Sequence, residues 1–400
     1  MKRPFAQKRR HKTANMAKSK VLVTGGAGFI GSHLVPALVK AGHRVRILDP
    51  LSPQIHGNLP GDLPWLTGDD VEFLRGSVLD DRDLKAAVSG VDSIVHLAAE
   101  TGTGQSMYEI SRYNEVNTLG TAKLLDHIAN DPDRTVRHIA LASSRSVYGE
   151  GAYVCRHCSE QTRVCPEARK AEDLAASRWE PRCTSCGASL TAVPTRETDQ
   201  INPASIYAAT KFAQEDLVRI ACSSIGIRHS ILRLQNVFGE GQSLKNPYTG
   251  ILSIFSTRIR RGLDLPIFED GLETRDFVHV EDVANAFVAA LSAQDARKTV
   301  FNVGSGLATP VLDVARMLNA SFRGSSNIVV TGEYRIGDIR HNSADITALT
   351  DDLGYEPMID LKTGLDRFAG WVTTQPLPQD LLEKANAELR DRNLMGQNSG

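Results

Sequence analysis

A tyrosine and a lysine four residues apart, Tyr207 and Lys211, fall in a stretch of helical spacing from Ala204 to Ser224. That spacing puts a phenol and an ammonium on one helix face. A nearby cation favours the phenolate and moves the phenol toward general-base work. Alone, such a pair is common on helix surfaces. It gains weight from Ser143-Ser144-Arg145-Ser146-Val147-Tyr148-Gly149, which closes an apolar run. A serine hydroxyl there could hold a substrate oxygen while the tyrosine moves its proton.

A second set binds rather than reacts. Gly26-x-Gly28-x-x-Gly31 follows a short apolar run, Lys20 to Thr24, and opens an amphipathic stretch from Ile30 to Ala41. The first glycine permits a tight turn and the second lets the backbone approach a pyrophosphate. The third allows close helix–strand packing, and the helix N-terminus receives the negative charge. Asp49 ends the next apolar run, Arg44 to Leu48. A carboxylate there bonds ribose hydroxyls and repels a 2′-phosphate, which favours NAD over NADP.

A third set has metal-ligand spacing. Cys155-x-x-Cys158 and Cys183-x-x-Cys186 can close a tetrahedral four-thiolate zinc site. Four thiolates leave no open position, so the zinc expected is structural. Cys165 reads as a spare and Cys222, on an apolar helical face, as core.

The elements that must position these groups alternate. Val71 to Leu74, Ser93 to Leu97, Val136 to Ala142 and Arg228 to Leu234 read as further strands. Asp81 to Val88 and Ser106 to Ala129 read as helices. This order predicts an α/β fold with a doubly wound parallel (Rossmann) sheet. The expected organisation is a basic tail over 1–19, a nucleotide-binding domain over 20–236, and within it a cysteine-rich zinc-knuckle insertion over 150–194. A smaller C-terminal substrate lobe follows over 237–372, with about 278–305 returning to the first domain. A polar helical tail over 373–400 ends the chain. The basic start lacks the apolar core of a secretory signal and reads as a disordered extension or an upstream start before Met16.

Composition excludes several classes. The 400 residues carry 46 basic and 47 acidic side chains, a net charge of −1, so no footprint for nucleic acid or an anionic membrane exists. No run of about 18 or more apolar residues suggests a membrane span. The expectation is a cytoplasmic protein whose partner is its small-molecule substrate.

The chain resembles the extended short-chain dehydrogenase/reductase family of sugar-nucleotide epimerases and dehydratases. The resemblance rests on Thr24-Gly-Gly-Ala-Gly-Phe-Ile-Gly31, His96-Leu-Ala-Ala99, the Ser143-to-Gly149 run, Tyr207-x-x-x-Lys211, Leu232-Arg-Leu-Gln-Asn236 and Arg275-Asp-Phe-Val-His279. It implies Tyr207 as base, Lys211 on the nicotinamide ribose and Ser144 as hydroxyl partner. It implies an NAD site at Gly25, Gly26, Gly28, Phe29, Ile30, Gly31, Asp49, Ser77, Val78, Leu97, Ala98, Ala99 and Asn117, together with Tyr207 and Lys211. Asn236, Arg275 and Arg340 are implied on the phosphates of a nucleotide-linked sugar, and a homodimer is implied through the helices Ser106 to Ala129 and Ala204 to Ser224.

Two departures matter. Dehydratases of the family carry an Asp-Glu pair directly after the catalytic hydroxyl, where this chain has Arg145 and Ser146. The implied chemistry is therefore 4-epimerisation, ahead of 4-keto reduction, 4,6-dehydration or a non-catalytic binding module. At the position after the third strand where an Asp often contacts adenine, this chain has Ser77. Within the family the pattern is most similar to the dTDP-L-rhamnose 4-epimerases. That likeness lies in Asp49 to His56, Gly104 to Ile110, the cysteine insertion, Asn246 to Gly250, Phe268 to Leu272 and Gly337 to His341.

Overall fold

The computed structural model describes residues 18–57, 62–244 and 250–398. The basic tail expected over 1–19 lies, up to residue 17, outside the described residues. So do residues 246–249 of the Asn246-to-Gly250 match.

Five strands are β1 (Lys20–Thr24), β2 (Arg44–Asp49), β3 (Val71–Arg75), β4 (Ser93–His96) and β5 (His138–Ser144). With Arg228–Leu234 and Val300–Val303 they form one seven-stranded parallel sheet. Its order runs from Val300–Val303 through Arg228–Leu234, β5, β4, β1 and β2 to β3. The direction of chain progression reverses between β1 and β4, where a doubly wound fold opens its ligand crevice.

Alternation along the strands feeds two layers. Val21, Val23 and Ile47 pack with Leu34 and Leu38 of α1 (Phe29–Lys40) and with Phe287 of the helix Val280–Ser292. Leu22, Leu48 and Ile94 face the opposite side, against Leu84, Leu124, Val218 and Cys222. Each such side chain, fully buried, contributes about 1.5–3 kcal/mol. A separate core of Phe238, Phe255, Leu265, Leu318, Leu365 and Phe368 supports the C-terminal lobe.

The structure refines three local readings. Of the helical stretch Ser106 to Ala129, residues Ile110 to Ala129 form one continuous helix that contains a π-helical segment, Asn114–Leu119, and a short turn Thr103–Ser106 precedes it. Asn117 sits inside the π segment. The insertion over 150–194 has a small sheet of its own: Tyr153–Cys155 pairs antiparallel with Ser159–Val164 and with Thr191–Ala192. The tail is not simply a polar helix. Leu382–Asp391 buries Leu382, Ala385 and Asn386, and Met395–Gln397 pairs with Glu333–Arg335.

Candidate active site

The helix Ile206–Ile225 carries the reactive pair. The Ser205 hydroxyl caps it by accepting from the Ala208 N–H at 3.1 Å, and Gly226, in the left-handed region at φ +71°, ends it. The helix packs against β5, whose last residue is Ser144. The Ser144 hydroxyl accepts from the Ser146 N–H at 3.2 Å, which leaves its proton to donate. It lies close enough to the Tyr207 phenol to favour its ionised form. Burial pushes the Tyr207 phenol up from its ordinary value, and the Ser144 hydroxyl and the Arg145 charge oppose that rise.

The cation acting on Tyr207 differs from the one the spacing points to. Lys211 is 3% exposed on its helix, and its Nζ donates to Gln214 Oε1 at 2.8 Å. Burial lowers it to about 7, with Glu215 opposing. The chain continues inward. Gln214 Nε2 donates to Thr121 Oγ1 at 2.7 Å, and Thr121 donates to the Asn117 carbonyl at 2.6 Å. Since that hydroxyl proton is spent, His96 Nε2 must donate to Thr121, at 2.9 Å, and Nδ1 must accept from Thr24 Oγ1 at 2.6 Å. Burial lowers His96 to about 3, so the ring is neutral, as this tautomer requires.

Asn117 lies beside the site, but its amide is spent on protein. It accepts from the Glu100 N–H at 2.7 Å and donates to the Glu100 carbonyl at 3.1 Å and to Thr210 Oγ1 at 3.0 Å. Both donor protons are used, so the structure makes it a clamp between the loop after β4 and the Tyr207 helix, not a cofactor ligand.

The glycine turn is built as its spacing implies, with one shift. The positive φ, +71°, is at Gly25, where a Cβ would lie 2.7 Å from the Ala98 N, so the left-handed turn falls one residue before Gly26. A Cβ on Gly31 would lie 2.2 Å from the Gly26 carbonyl oxygen, which fixes it as the packing glycine. At Gly28 a Cβ would meet only the Gly25 carbonyl, at 3.4 Å, so the turn is open on that side. No side chain caps the first N–H groups of α1, at Phe29 and Ile30. Asp49 accepts from the Ala27 N–H at 3.1 Å and the Leu51 N–H at 2.8 Å, one per oxygen, which leaves lone pairs for ribose hydroxyls. Val78 follows the end of β3, and Leu97, Ala98 and Ala99 follow β4, on the same carboxyl edge. The residues fit a dinucleotide. Ser77 uses its N–H on Asp83 at 2.9 Å and its hydroxyl on the Leu79 N–H at 3.1 Å, and so holds its own turn.

Arg340 requires a correction. It is 1% exposed, and its guanidinium is held by Glu180 at 2.9 Å, Asp270 at 2.7 and 2.9 Å and Glu269 at 3.0 Å. A fork so filled with carboxylates has no face for a phosphate. Arg275 is half-buried and donates to the carbonyls of Thr274, Ile339 and Arg340 at 2.8, 2.9 and 3.2 Å. Asn236 keeps a buried Oδ1 without a partner among the described residues, as do Arg145 Nη1 and Ser146 Oγ. Buried polar atoms left so are normally satisfied by a ligand or water.

The Arg340 cluster is what the sequence concealed. Glu150, Arg169 and Glu180 come from the cysteine insertion; Glu269, Asp270, Arg340 and His341 come from the lobe. Arg169 pairs with Glu269 at 2.7 Å, and Glu150 accepts from the Arg340 N–H at 2.9 Å. Against burial, which would raise it, the His341 hydrogen bond and the Arg340 charge hold Glu180 down to about 2. Asp276, within the Arg275-to-His279 motif, accepts from the N–H groups of Ser305, Gly306 and Ala344 and the Ser305 hydroxyl, at 2.7–3.1 Å. No spacing rule could pair groups this far apart in the chain.

The four knuckle sulfurs all lie within 4.8 Å of one another. Cys155 and Cys186 are 3.6 Å apart, and Cys158 and Cys183 are 3.9 Å apart. A tetrahedron with Zn–S bonds of about 2.3 Å has edges of about 3.8 Å, so the set fits zinc. The Cys186 and Ser185 N–H groups lower the Cys183 thiol while the neighbouring sulfurs raise Cys158, so the sulfurs share protons as one group. The insertion's own apolar cluster is small, with Tyr153, Cys155 and Leu190 at its centre and Cys183 and Ala188 packed on them; domains with cores this small commonly carry a metal or disulfide staple. Cys222 is buried in the main core, and Cys165 is half-buried outside the cluster.

Comparison with known proteins agrees with this geometry. The model of the "NAD dependent epimerase/dehydratase family" matches residues 21–170 and 183–304. The gap falls inside the cysteine insertion. A dTDP-L-rhamnose 4-epimerase of Burkholderia thailandensis is 40% identical over 359 residues, 89% of this chain and 95% of the relative. A UDP-glucose 4-epimerase of Thermotoga maritima, solved with UDP-glucose, superposes with a TM-score of 0.70 at 27% identity, covering 88% of this chain and 98% of that one. MoeE5, solved with UDP-glucuronic acid and NAD, superposes with a TM-score of 0.68 at 27% identity, covering 89% and 99%.

Proposed function

Because the chain belongs to the NAD dependent epimerase/dehydratase family, we propose that it inverts C4 of a nucleotide-linked deoxysugar, converting dTDP-L-rhamnose to dTDP-6-deoxy-L-talose. The observation that carries this reading is the Ser144–Tyr207 hydroxyl pair with Arg145 and Ser146 beside it. A proton can move between Tyr207 Oη and a sugar hydroxyl, and that turn offers no carboxylic acid to expel a second one. The 40% identity to a dTDP-L-rhamnose 4-epimerase supports the sugar.

NAD, when bound, supplies a hydride acceptor that returns the hydride. The protein's part is positional. Gly25, Gly26, Gly28, Phe29, Ile30 and Gly31 would receive the pyrophosphate, and Asp49 the adenosine ribose. Ser77, Val78, Leu97, Ala98 and Ala99 would line the cofactor with backbone and small side chains, and Lys211 would hold the nicotinamide ribose. Tyr207 would take the proton of the C4 hydroxyl during oxidation to the ketone and give it back on reduction, and Ser144 would hold that oxygen; rotation of the 4-keto sugar in between would present its other face. Asn236 and Arg275 would meet the phosphates.

Zinc in the cysteine knuckle would be structural. A second copy would cover the large apolar side chains Met107, Tyr108, Ile110, Leu119 and Ile220, exposed on the two elements that carry the expected homodimer face. No described helix is long and apolar enough to cross a membrane.

The test is incubation of purified protein with dTDP-L-rhamnose, without added cofactor, followed by proton NMR of the sugar. Inversion at C4 alone is expected, and Tyr207→Phe should lower kcat by about 10²–10⁴. Turnover appearing only with NAD(P)H and a 4-keto sugar would make the protein a ketoreductase instead. Inversion of UDP-sugars alone would move the substrate and keep the reaction.

A further inference from the structure

Arg145 follows Ser144 directly, on the short 3-10 turn Arg145–Tyr148 at the carboxyl end of β5. It has no hydrogen bond or ion pair among the described residues, and its Nη1 is buried and unpartnered. That is unusual for a guanidinium, which buries its charge only when paired. The buried arginines Arg233 and Arg340 are each held by carboxylates, Arg233 by Glu215 and Arg340 by Glu180, Glu269 and Asp270. Half-buried Arg145 has no such partner among the described residues, and it directly follows Ser144 at the site. The charged groups that feel it are Arg275, Glu150, Asp338 and Tyr207. Glu150 is already engaged by the Arg340 N–H and Arg169.

Around Tyr207 the other facing groups are few. Tyr113 packs edge-on at 6.4 Å, and its own hydroxyl is spent on the Thr101 and Gly102 carbonyls. Ser144 is neutral. Lys211, one turn along, is turned to Gln214. The fixed positive charge left to act on the phenol is Arg145.

Resting on the epimerase reading above, we propose that Arg145 sets the reactivity and the specificity of this site. Its cation stabilises the Tyr207 phenolate, and its orphaned Nη1–H donates to an oxygen of the bound sugar beside the reacting hydroxyl. At the turn where a carboxylic acid would drive elimination, a permanent cation instead holds the hydroxyls in place, because a guanidinium has no proton to give near neutral pH. It thereby commits the 4-keto sugar to return as an alcohol. Direct contact makes Arg145 a catalytic residue; its action through Tyr207 is electrostatic positioning.

The test compares NAD-loaded wild type, Arg145→Gln and Arg145→Lys. The readouts are the pH profile of kcat/KM and the phenolate absorbance of Tyr207, taken as the difference from each protein's Tyr207→Phe partner. Removing the cation should raise the Tyr207 titration and the acid limb of kcat/KM together, by about one to two pH units. kcat should fall at least about tenfold. Arg145→Lys should restore the acid limb, because charge is kept, while KM stays raised, because the planar fork is lost. Arg145→Gln with both the Tyr207 titration and kcat/KM unchanged within twofold would overturn the proposal. Should Arg145→Gln fail to fold, the lysine variant decides: an acid limb displaced by a full pH unit despite the retained charge overturns it. A shifted Tyr207 titration with no turnover of any nucleotide sugar would sink the epimerase reading and leave the electrostatic role standing.

Discussion

Beneath the glycine turn, Lys211, Gln214, Thr121, His96 and Thr24 form a hydrogen-bond chain whose inner members are neutral. Between the cysteine insertion and the lobe, Arg169 and Arg340 are instead held by Glu150, Glu180, Glu269 and Asp270. The first network joins elements of one domain and only has to orient groups. The second joins an insertion with almost no core of its own to a separate lobe, and does so with charge. Desolvating those ions is costly, so the cluster holds only while complete. The insertion is therefore held to the lobe side by the ion cluster, and its four gathered sulfurs are the candidate for a second anchor.

Breaking the charged network should have the largest effect. Arg340→Met removes the cation that buried Glu269 shares with the half-buried Glu180 and Asp270, which should cost about 3–5 kcal/mol. Thermal unfolding should show it as a large fall in Tm, with faster proteolysis of residues 150–194. A normally stable Arg340→Met protein with only a raised KM for the nucleotide sugar would restore the phosphate role and collapse the contrast.

Removing the candidate second anchor comes next. Cys155→Ser with Cys183→Ser should abolish an expected one zinc per chain, read by metal analysis. It should cost about 2–5 kcal/mol if the knuckle is the staple of its small core. Full zinc content or an unchanged Tm would contradict this.

In the neutral network, Thr121→Val strips His96 Nε2–H and Gln214 Nε2 of their acceptor. The expected loss is about 1–3 kcal/mol, smaller than at Arg340 and independent of salt. A loss as large as that of Arg340→Met would erase the distinction.

The last effect is read from its sign with pH, not from its size. The Lys211 folded value is lowered to about 7, against about 10.4 unfolded. Between those values the unfolded chain binds more protons, so this group's contribution makes stability rise with pH. Lys211→Met lacks that rise. Its Tm advantage over wild type should be greatest at or below pH 7 and should shrink toward pH 10. A difference constant across that range would place Lys211 in a wetter site than the fold gives it.

The two networks also differ in what the sequence discloses. The glycine turn, Asp49, β1 to β5 and the Tyr207 helix are legible because each is local: a strand, a turn and a helix within some thirty residues, with period-2 and helical patterning. The four cysteines are legible because two knuckles carry their own spacing. Arg340 is not. An arginine that grips phosphate and one that grips carboxylates are the same letters, and only the arrival of Glu180 and Asp270 decides between them. The π segment Asn114–Leu119 is not legible either, because the apolar spacing there is helical and the Asn117 bonds to Glu100 and Thr210 reach groups far away in the chain. Lys211 likewise stands at the expected place on its helix. Its Nζ, however, turns inward to Gln214 and leaves Arg145 as the charge nearest in effect to the phenol.

The central claim is that this site removes a hydride from C4 and returns it to the same carbon without exchanging its cofactor. The direct measurement is turnover of dTDP-L-rhamnose deuterated at C4, with unlabelled NADH in solution. The account predicts a C4-inverted product that keeps its deuterium, with none passing to the NADH pool. Loss of the label from C4, or its appearance in the free cofactor, would contradict it.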